Sequence, residues 1–199
     1  LGAALFQKGY LVLHGNAVRI GDGCVICVGH SGAGKSTLAA GFLQRGFDLL
    51  ADDVVPVGAD CLAVPGFPRI KLWKDAATKL NIDTDGLNRI RPAMEKFNLP
   101  VASTRPVSPL PISHIYVLRE EGYDEIEAEP VRGLRKFPLL NEHTYRQKFL
   151  DSLALRPDHL KLCGKLANQT PITRLSRPRN RFDVNSLIDR ILSDVSEDA

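Results

Sequence analysis

One nine-residue stretch constrains the fold of this chain more than any other feature. It fits G-x-x-x-x-G-K-[ST], the pattern of a phosphate-binding loop. Glycines let successive backbone N–H groups point at an anion, and the following helix directs its positive end at the same anion. The residues predicted to bind nucleotide phosphates are Gly29, His30, Ser31, Gly32, Ala33, Gly34, Lys35, Ser36 and Thr37.

Both flanks of the loop have the pattern that such a motif requires. Residues 24–28, before the loop, form an apolar run typical of a buried strand. After the loop, apolar residues recur at helical spacing until Gly46, which is well placed to end a helix. We therefore expect Lys35 to reach the β- and γ-phosphates of a nucleotide, and the Ser36 hydroxyl to bind Mg²⁺.

The bulk properties indicate one ordinary globular domain spanning residues 1–199. The chain is 44% hydrophobic and 25% charged, and its net charge of +3 is weak support for nucleic-acid binding. Cys24 and Cys27 form a C-x-x-C pattern, but residues three apart on a strand face opposite sides and cannot chelate a metal together. The four cysteines therefore fit a reducing cytoplasm, and we expect neither a nucleic acid nor a membrane as a partner. A homo-oligomer is expected. The first residue is Leu1 rather than Met, which is compatible with a missing upstream segment.

A hairpin is predicted to carry His14 back to the phosphate loop. Residues 16–20 and 24–28 read as two strands around a Gly-Asp-Gly turn. If Asp22 centres the turn, Asn16 pairs with Val28 and His14 lies opposite His30. His14 is then either a site residue or a turn histidine with a local hydrogen bond.

Two adjacent carboxylates are predicted at the same sheet edge as the phosphates. A helix over residues 36–45 would lead roughly 15 Å away from the loop, and a strand over residues 47–51 would return over roughly 16 Å. A right-handed β-α-β crossover therefore delivers Asp52 and Asp53 to the edge where ligands bind. Side chains adjacent on a strand point to opposite sides, so one carboxylate can hold Mg²⁺ while the other faces a substrate.

Residues further along the chain are weaker evidence for a substrate-binding surface. Residues 69–73 alternate basic and apolar, so Arg69 and Lys71 share one strand face, either as a substrate contact or as a solvated surface. Residues 81–111 are polar and rich in proline, which is typical of a lid, a binding loop or a covering loop. We also expect a hairpin of residues 112–118 and 125–129, helices over 142–153 and 158–167, and a terminal helix.

At this point the residues resemble a known family. The resemblance rests on His14-Gly15, the hairpin, the G-x-S-G-x-G-K-S form of the loop, and Leu50-Ala51-Asp52-Asp53. Together they are similar to the catalytic domain of bacterial HPr kinase/phosphorylase over residues 10–57. The resemblance implies a phosphate-loop α/β fold like that of phosphoenolpyruvate carboxykinase, with a mixed central sheet flanked by helices. It also implies ATP and Mg²⁺ as cofactors.

The resemblance assigns roles only to matching positions. His14 matches the catalytic histidine, Asp52 the proposed general base towards a serine hydroxyl, and Asp53 an aspartate associated with the metal. The parent enzyme's H-L-L-E-I-R-G stretch has no match here, and residues 65–73 stand in its place. That departure favours the short branch that includes lasso-peptide precursor kinases.

We therefore expect an ATP-dependent serine kinase acting on a peptide or small protein. Catalytic roles fall to Asp52, His14 and Lys35, metal binding to Ser36 and Asp53, and substrate contact to Arg69 and Lys71. The alternatives are HPr(Ser) kinase/phosphorylase itself, a small-molecule kinase, and a nucleotide-dependent regulatory module without a phosphoryl acceptor. An arginine should neutralise the transferring phosphoryl group. The open candidates for that role are Arg69, Arg119 and Arg174.

Overall fold

The computed structural model describes residues 1–102, 108–121, 124–179 and 182–197. Its α-helices are α1 (Gly2–Gln7), α2 (Lys35–Gln44), α3 (Lys74–Lys79), α4 (Lys136–Glu142), α5 (Lys148–Ser152), α6 (Arg156–Gln169) and α7 (Val184–Glu197). Its strands are β1 (Leu11–Leu13), β2 (Gly15–Ile20), β3 (Gly23–Gly29), β4 (Leu49–Asp52), β5 (Val55–Val57), β6 (Leu62–Ala63), β7 (Arg69–Trp73), β8 (Lys96–Pro100), β9 (Leu110–Glu121), β10 (Glu127–Val131) and β11 (Ile172–Pro178). In these ranges, no helix is both long and apolar enough to cross a lipid bilayer.

A mixed sheet of nine strands organises the described part of the chain. Its main path runs β1-β5-β6-β9-β3-β2-β4. Strand β11 lies parallel to the second half of β9, and β10 pairs antiparallel with β11. Strands β7 and β8 form a separate antiparallel ribbon. The predicted fold class, α/β with a mixed central sheet flanked by helices, is confirmed.

The strand before the phosphate loop is buried on both of its faces. Cys24, Ile26 and Val28 join a core that also contains residues of α4 and α6. Val25 and Cys27 join a second core that contains residues of α2 and α7. The two cysteines of the C-x-x-C pattern therefore pack on opposite sides of β3, as the alternation of a strand requires.

The order of the strands brings two chain segments to one sheet edge. Strand β3 leads into the loop and α2, and β4 returns parallel to β3. The two are not neighbours, because β2 lies between them and pairs antiparallel with both. The register places Asn16 opposite Asp52. The two aspartates at the end of β4 therefore lie beside the start of β2 and close to the loop.

The predicted register of the hairpin is wrong by one residue. Gly15 pairs with Val28 and Asn16 with Cys27, whereas the prediction paired Asn16 with Val28. The turn contains the two residues Gly21 and Asp22 rather than three, and Gly21 adopts the positive φ of +60° that tight hairpin turns use. A turn shortened by one residue shifts every pair along the hairpin.

Three other elements differ from the prediction because distant parts of the chain determine them. Residues 81–111 contain β8, which gains its order by pairing with β7. Strands β9 and β10 do not form a hairpin, since β11 lies between them. The helix predicted over residues 142–153 is reduced to α5, and Thr144 forms an isolated bridge with Leu13 of β1. The predicted strand over residues 69–73 and the terminal helix are confirmed.

Two buried histidines make the stability of the fold depend on pH. Burial lowers the pKa of His143 and His159 to about 4. Unfolding restores a value near ~6.5, so the unfolded chain binds more protons between these limits. We therefore expect the free energy of unfolding to decrease as pH falls from about 6.5 towards about 4. Urea unfolding across this range should show a smaller decrease for His159→Gln; an unchanged pH slope would contradict the role of His159.

Candidate functional site

The phosphate loop has the backbone that its glycines predict. Gly32 and Gly34 have φ of +90° and +99°, a region that side chains rarely adopt. Gly34 is the N-cap of α2, so the first N–H groups of that helix face the loop. The ammonium of Lys35 donates to the carbonyl oxygens of Gly29 (2.8 Å) and His30 (2.9 Å). The loop therefore combines backbone donors with one lysine.

Asn16 connects the helix after the loop to the neighbouring strands. Its side chain is fully buried, and its Nδ2 donates to the carbonyl oxygen of Lys35 at 2.6 Å. Its backbone lies opposite Cys27 of β3 and Asp52 of β4. Asn16 thus fixes the start of α2 against the strand that carries the carboxylate. This role could not be predicted from the sequence, because an asparagine in a strand has no motif around it.

Asp52 lies beside the loop serine. Its Oδ1 accepts a hydrogen bond from Ser36 Oγ (3.3 Å), and its Oδ2 accepts one from the backbone N–H of Lys71 (2.9 Å). Burial raises the pKa of Asp52, and the Lys71 amide opposes that shift. A hydroxyl next to a carboxylate at a phosphate loop fits Mg²⁺, which binds few protein oxygens and completes its shell with phosphates and water.

Asp53 faces His14 instead. The Nδ1 of His14 donates to the backbone carbonyl of Asp53 at 3.0 Å and lies 3.8 Å from its Oδ1. The Oδ2 of Asp53 is 2.5 Å from Lys71 Nζ. Burial tends to raise the pKa of Asp53, but the hydrogen bond and charge of Lys71 outweigh it, so the pKa is lowered. The pKa of His14 is lowered by burial and then by Lys35. The structure therefore places His14 beside Asp53, not beside Asp52.

One cavity of about 610 Å³ brings most of these groups together. Its wall contains six residues of the loop and the first turn of α2, both aspartates and His14. The opposite wall comes from the β7–β8 ribbon and α3, with Trp73 and Lys96 exposed to the cavity. Neither residue was singled out from the sequence, although residues 81–111, which include Lys96, were expected to form a lid, a binding loop or a covering loop. Trp73 was visible only as part of the alternating strand, and Lys96 lay in a stretch without pattern.

A second cavity of about 430 Å³ lies on the other side of His14 and Asp53. Its floor is the turn 143–146, which the backbone N–H of His14 contacts through the carbonyl oxygen of His143 (2.8 Å). The Nε2 of His30 lies 3.0 Å from Glu142 Oε1 at its rim. This side of the site was missed because residues 142–153 read as a continuous helix.

The two basic residues predicted for substrate contact separate in the structure. Lys71 reaches Asp53, whereas Arg69 is exposed and stacks over Phe67 at 5.5 Å. Of the candidate arginines, Arg119 contacts Glu121 (3.5 Å) and Arg174 contacts Glu129 (3.2 Å).

An arginine that was not predicted supports the phosphate loop. Arg177 is buried, and its Nε donates to the carbonyl oxygen of Ala33 at 3.3 Å. A second guanidinium nitrogen lies 2.8 Å from Glu120 Oε2. Because its charge is already paired, we interpret Arg177 as a residue that fixes the loop.

The separation of Arg69 and Lys71 has a testable consequence. Lys71→Met should impair turnover strongly, because it frees the Asp53 carboxylate from its ion pair. Arg69→Met should change the KM of a phosphate acceptor by about 2-fold at most, since an exposed cation contributes little. Steady-state kinetics with the acceptor and the nucleotide varied in turn would measure both. Equal losses of turnover in the two variants would show that Arg69 also contributes to the site.

The fold and the site together define a class of protein: a mixed α/β protein whose phosphate loop opens a helix beside a strand that ends in two carboxylates. No protein-family model and no curated protein matches the chain. Among solved structures, the chain is similar to the Hpr(Ser) kinase/phosphatase from Coxiella burnetii. The two share 12% sequence identity, with a TM-score of 0.44 over 92% of this chain and 94% of that one.

Proposed function

We propose that the protein is an ATP-dependent kinase that transfers the γ-phosphate to a serine of a peptide or small protein, with a lasso-peptide precursor as one candidate acceptor. One observation carries the proposal: a single cavity is lined by the phosphate loop, Lys35, Ser36, both aspartates and His14. A nucleotide-binding module without an acceptor needs the loop and a metal ligand. It has no use for a second carboxylate that is oriented by a histidine.

The nucleotide end of the cavity supplies positioning and charge. The loop N–H groups and Lys35 would hold the β- and γ-phosphates, and Ser36 and Asp52 would hold Mg²⁺. When bound, Mg²⁺ neutralises charge on the phosphate oxygens. The hydrogen bond between Ser36 and Asp52 supports this pairing, because both groups then lie on one side of the loop. Mg²⁺ would also favour the ionised form of the buried carboxylate.

The acceptor end requires a group that takes the serine proton. Both oxygens of Asp52 already accept hydrogen bonds, whereas Oδ1 of Asp53 faces His14 without a hydrogen bond among the described residues. His14 must carry its proton on Nδ1 to donate to the Asp53 carbonyl, so Nε2 of the neutral ring is also free to accept. This geometry favours Asp53, with His14, as the base and Asp52 as the metal ligand. The family resemblance implies the reverse assignment.

The reaction balances with these groups. The serine Oγ–H bond breaks and its proton passes to the Asp53–His14 pair, while Oγ forms a bond to the γ-phosphorus. The bond between the γ-phosphorus and the bridging oxygen breaks, and that oxygen leaves with ADP. The products are a phosphoserine and ADP, and the proton is released to water afterwards.

Mass spectrometry tests the proposal directly. The protein is incubated with ATP, Mg²⁺ and candidate peptides that carry a serine near the C-terminus, each matched by a copy with that serine changed to alanine. A mass gain of one phosphate that is confined to the serine peptides supports a peptide kinase. Phosphate transfer to metabolites in a parallel panel would instead support a small-molecule kinase. ATP binding without transfer to either class would overturn the proposal.

A further inference from the structure

The β7–β8 ribbon is fixed to the site at one end. The backbone N–H of Lys71 donates to Asp52, and its side chain pairs with Asp53, so β7 is attached to both carboxylates. Ile70 and Leu72 are buried beneath it. The register of the ribbon then places Lys96 of β8 directly opposite Trp73. The position of the Lys96 side chain over the cavity therefore follows from contacts that the carboxylates themselves make.

Lys96 lines the cavity and brings its positive charge there. Its ammonium lies 5.4 Å from the centre of the Trp73 ring, and the residue is half-buried. No carboxylate in the described ranges forms an ion pair with it. The adjacent Glu95 pairs instead with Lys74, at 3.1 Å. A cation over a half-exposed ring is weakly held in comparison with a hydrogen-bonded ion pair. The ammonium is thus free to move to a stronger anionic partner.

The other basic residues considered for this role already pair with carboxylates. Lys71 pairs with Asp53, and the candidate arginines 119 and 174 pair with glutamates. Among the described residues that line the cavity, Lys35 and Lys96 carry the lysine charges. Lys35 approaches from the loop side, whereas Lys96 approaches from the ribbon opposite. A phosphoryl group between them would have a cation on each side.

The electrostatics of the site agree with this placement. Burial is the main cause of the lowered pKa of His14 and of Lys35, and the charge of Lys96 lowers both further. The same charge acts to lower the pKa of Asp52 and of Asp53. The charge of Lys96 is therefore within electrostatic range of all four groups.

We propose that Lys96 is the cation that binds the γ-phosphate and stabilises its charge during transfer, and that Trp73 is the platform its ammonium leaves when a triphosphate binds. The inference rests on the proposed kinase function and deepens it, because the role that the sequence assigned to an arginine falls to this lysine. Phosphoryl transfer depends on cations that neutralise the charge of the transferring group, and Lys96 lines the cavity wall opposite Lys35.

The test uses a feature of the composition: Trp73 is the single tryptophan of the chain, so its emission reports on this cavity alone. The wild-type protein is titrated with Mg²⁺ and either ADP or a non-hydrolysable ATP analogue, while calorimetry supplies the Kd values. We expect the triphosphate to change the Trp73 emission more than the diphosphate does. Lys96→Met should weaken triphosphate binding about 10-fold, leave diphosphate binding unchanged, and remove the difference in emission.

Lys74→Met is the matched control. Lys74 follows Trp73 directly, but its ammonium pairs with Glu95 and is outside the cavity lining. This variant should keep the triphosphate preference and the emission change. Lys96→Arg should retain part of the preference, because the charge persists. Equal weakening of both nucleotides, or no change in either, would overturn the role of Lys96.

The two proposals can fail separately. If no acceptor is ever phosphorylated but the triphosphate preference depends on Lys96, the kinase proposal fails and the γ-phosphate contact stands. If serine peptides are phosphorylated and Lys96→Met turns over like the parent, the kinase proposal stands and this inference fails. If Lys96 stabilises the transferring phosphoryl group, kcat should decrease by about 10²–10³ in Lys96→Met, the range typical for the loss of one charge-stabilising group.

Discussion

Lys35→Ala is expected to reduce phosphoryl transfer by about 10²–10³-fold or more while the fold persists. The ammonium would no longer lie between the loop carbonyls of Gly29 and His30, where its hydrogen bonds place it at the predicted phosphate site. Lys35→Met, which keeps the apolar stem, should behave in the same way. Turnover, nucleotide Kd and thermal unfolding midpoints would be measured for both variants.

The control for this prediction lies on the same loop. Ser31 lines the cavity but makes no hydrogen bond with its side chain among the described residues, so Ser31→Ala should retain most of the activity. If Lys35→Met folds, binds ATP and turns it over like the parent, the loop does not hold a nucleotide. A loss of activity that only accompanies a lower unfolding midpoint would show that Lys35 supports structure alone.

The second large effect is expected at the two carboxylates. Asp53→Asn should decrease kcat by about 10²–10⁴-fold with little change in the affinity for Mg²⁺·ATP, because it removes the basic oxygen of the proposed Asp53–His14 pair. Asp52→Asn should weaken Mg²⁺·ATP binding, and a higher Mg²⁺ concentration should partly restore its activity. Titrations with Mg²⁺ at saturating ATP separate the two behaviours.

This pair of variants also decides between two assignments. The family resemblance makes Asp52 the base and Asp53 the metal-linked residue, so it predicts the opposite pattern. Recovery of Asp53→Asn, rather than Asp52→Asn, at high Mg²⁺ would support the resemblance and contradict the contacts. His14→Gln should have a smaller defect than Asp53→Asn, because the carboxylate would remain but lose its orienting ring.

The sequence predicts those parts of the site whose position depends on neighbouring residues in the chain. The loop follows from its motif, and the arrival of Asp52 and Asp53 beside it follows from matched helix and strand lengths. The insertion of β2 between β3 and β4 was not predicted, because that order depends on pairing rather than on length. The one-residue error in the hairpin shows the same limit: turn size sets the register, and Gly-Asp-Gly is compatible with two turn sizes.

The parts that were missed depend on contacts between distant segments. Lys96 belongs to a strand whose order comes from β7, and nothing in its own sequence marks it. Residues 143–146 lie within a stretch predicted as one helix, yet Arg146 adopts a φ of +47° and Thr144 bridges to β1. A pattern read along the chain cannot supply such information. For the same reason Asn16, which joins three segments, was read only as one residue of a strand.

The backbone at Asp53 limits which residues that position can hold. Its φ of +69° lies in the left-handed region, where glycine is unstrained and asparagine or aspartate are the best tolerated alternatives. In a saturation library at this position, glycine, asparagine and aspartate should therefore give the most stable proteins, and of these three only the aspartate form carries a charge. Glycine should relieve the backbone strain but abolish catalysis. Selection for thermal stability would therefore favour glycine at this position, whereas selection for turnover would retain aspartate.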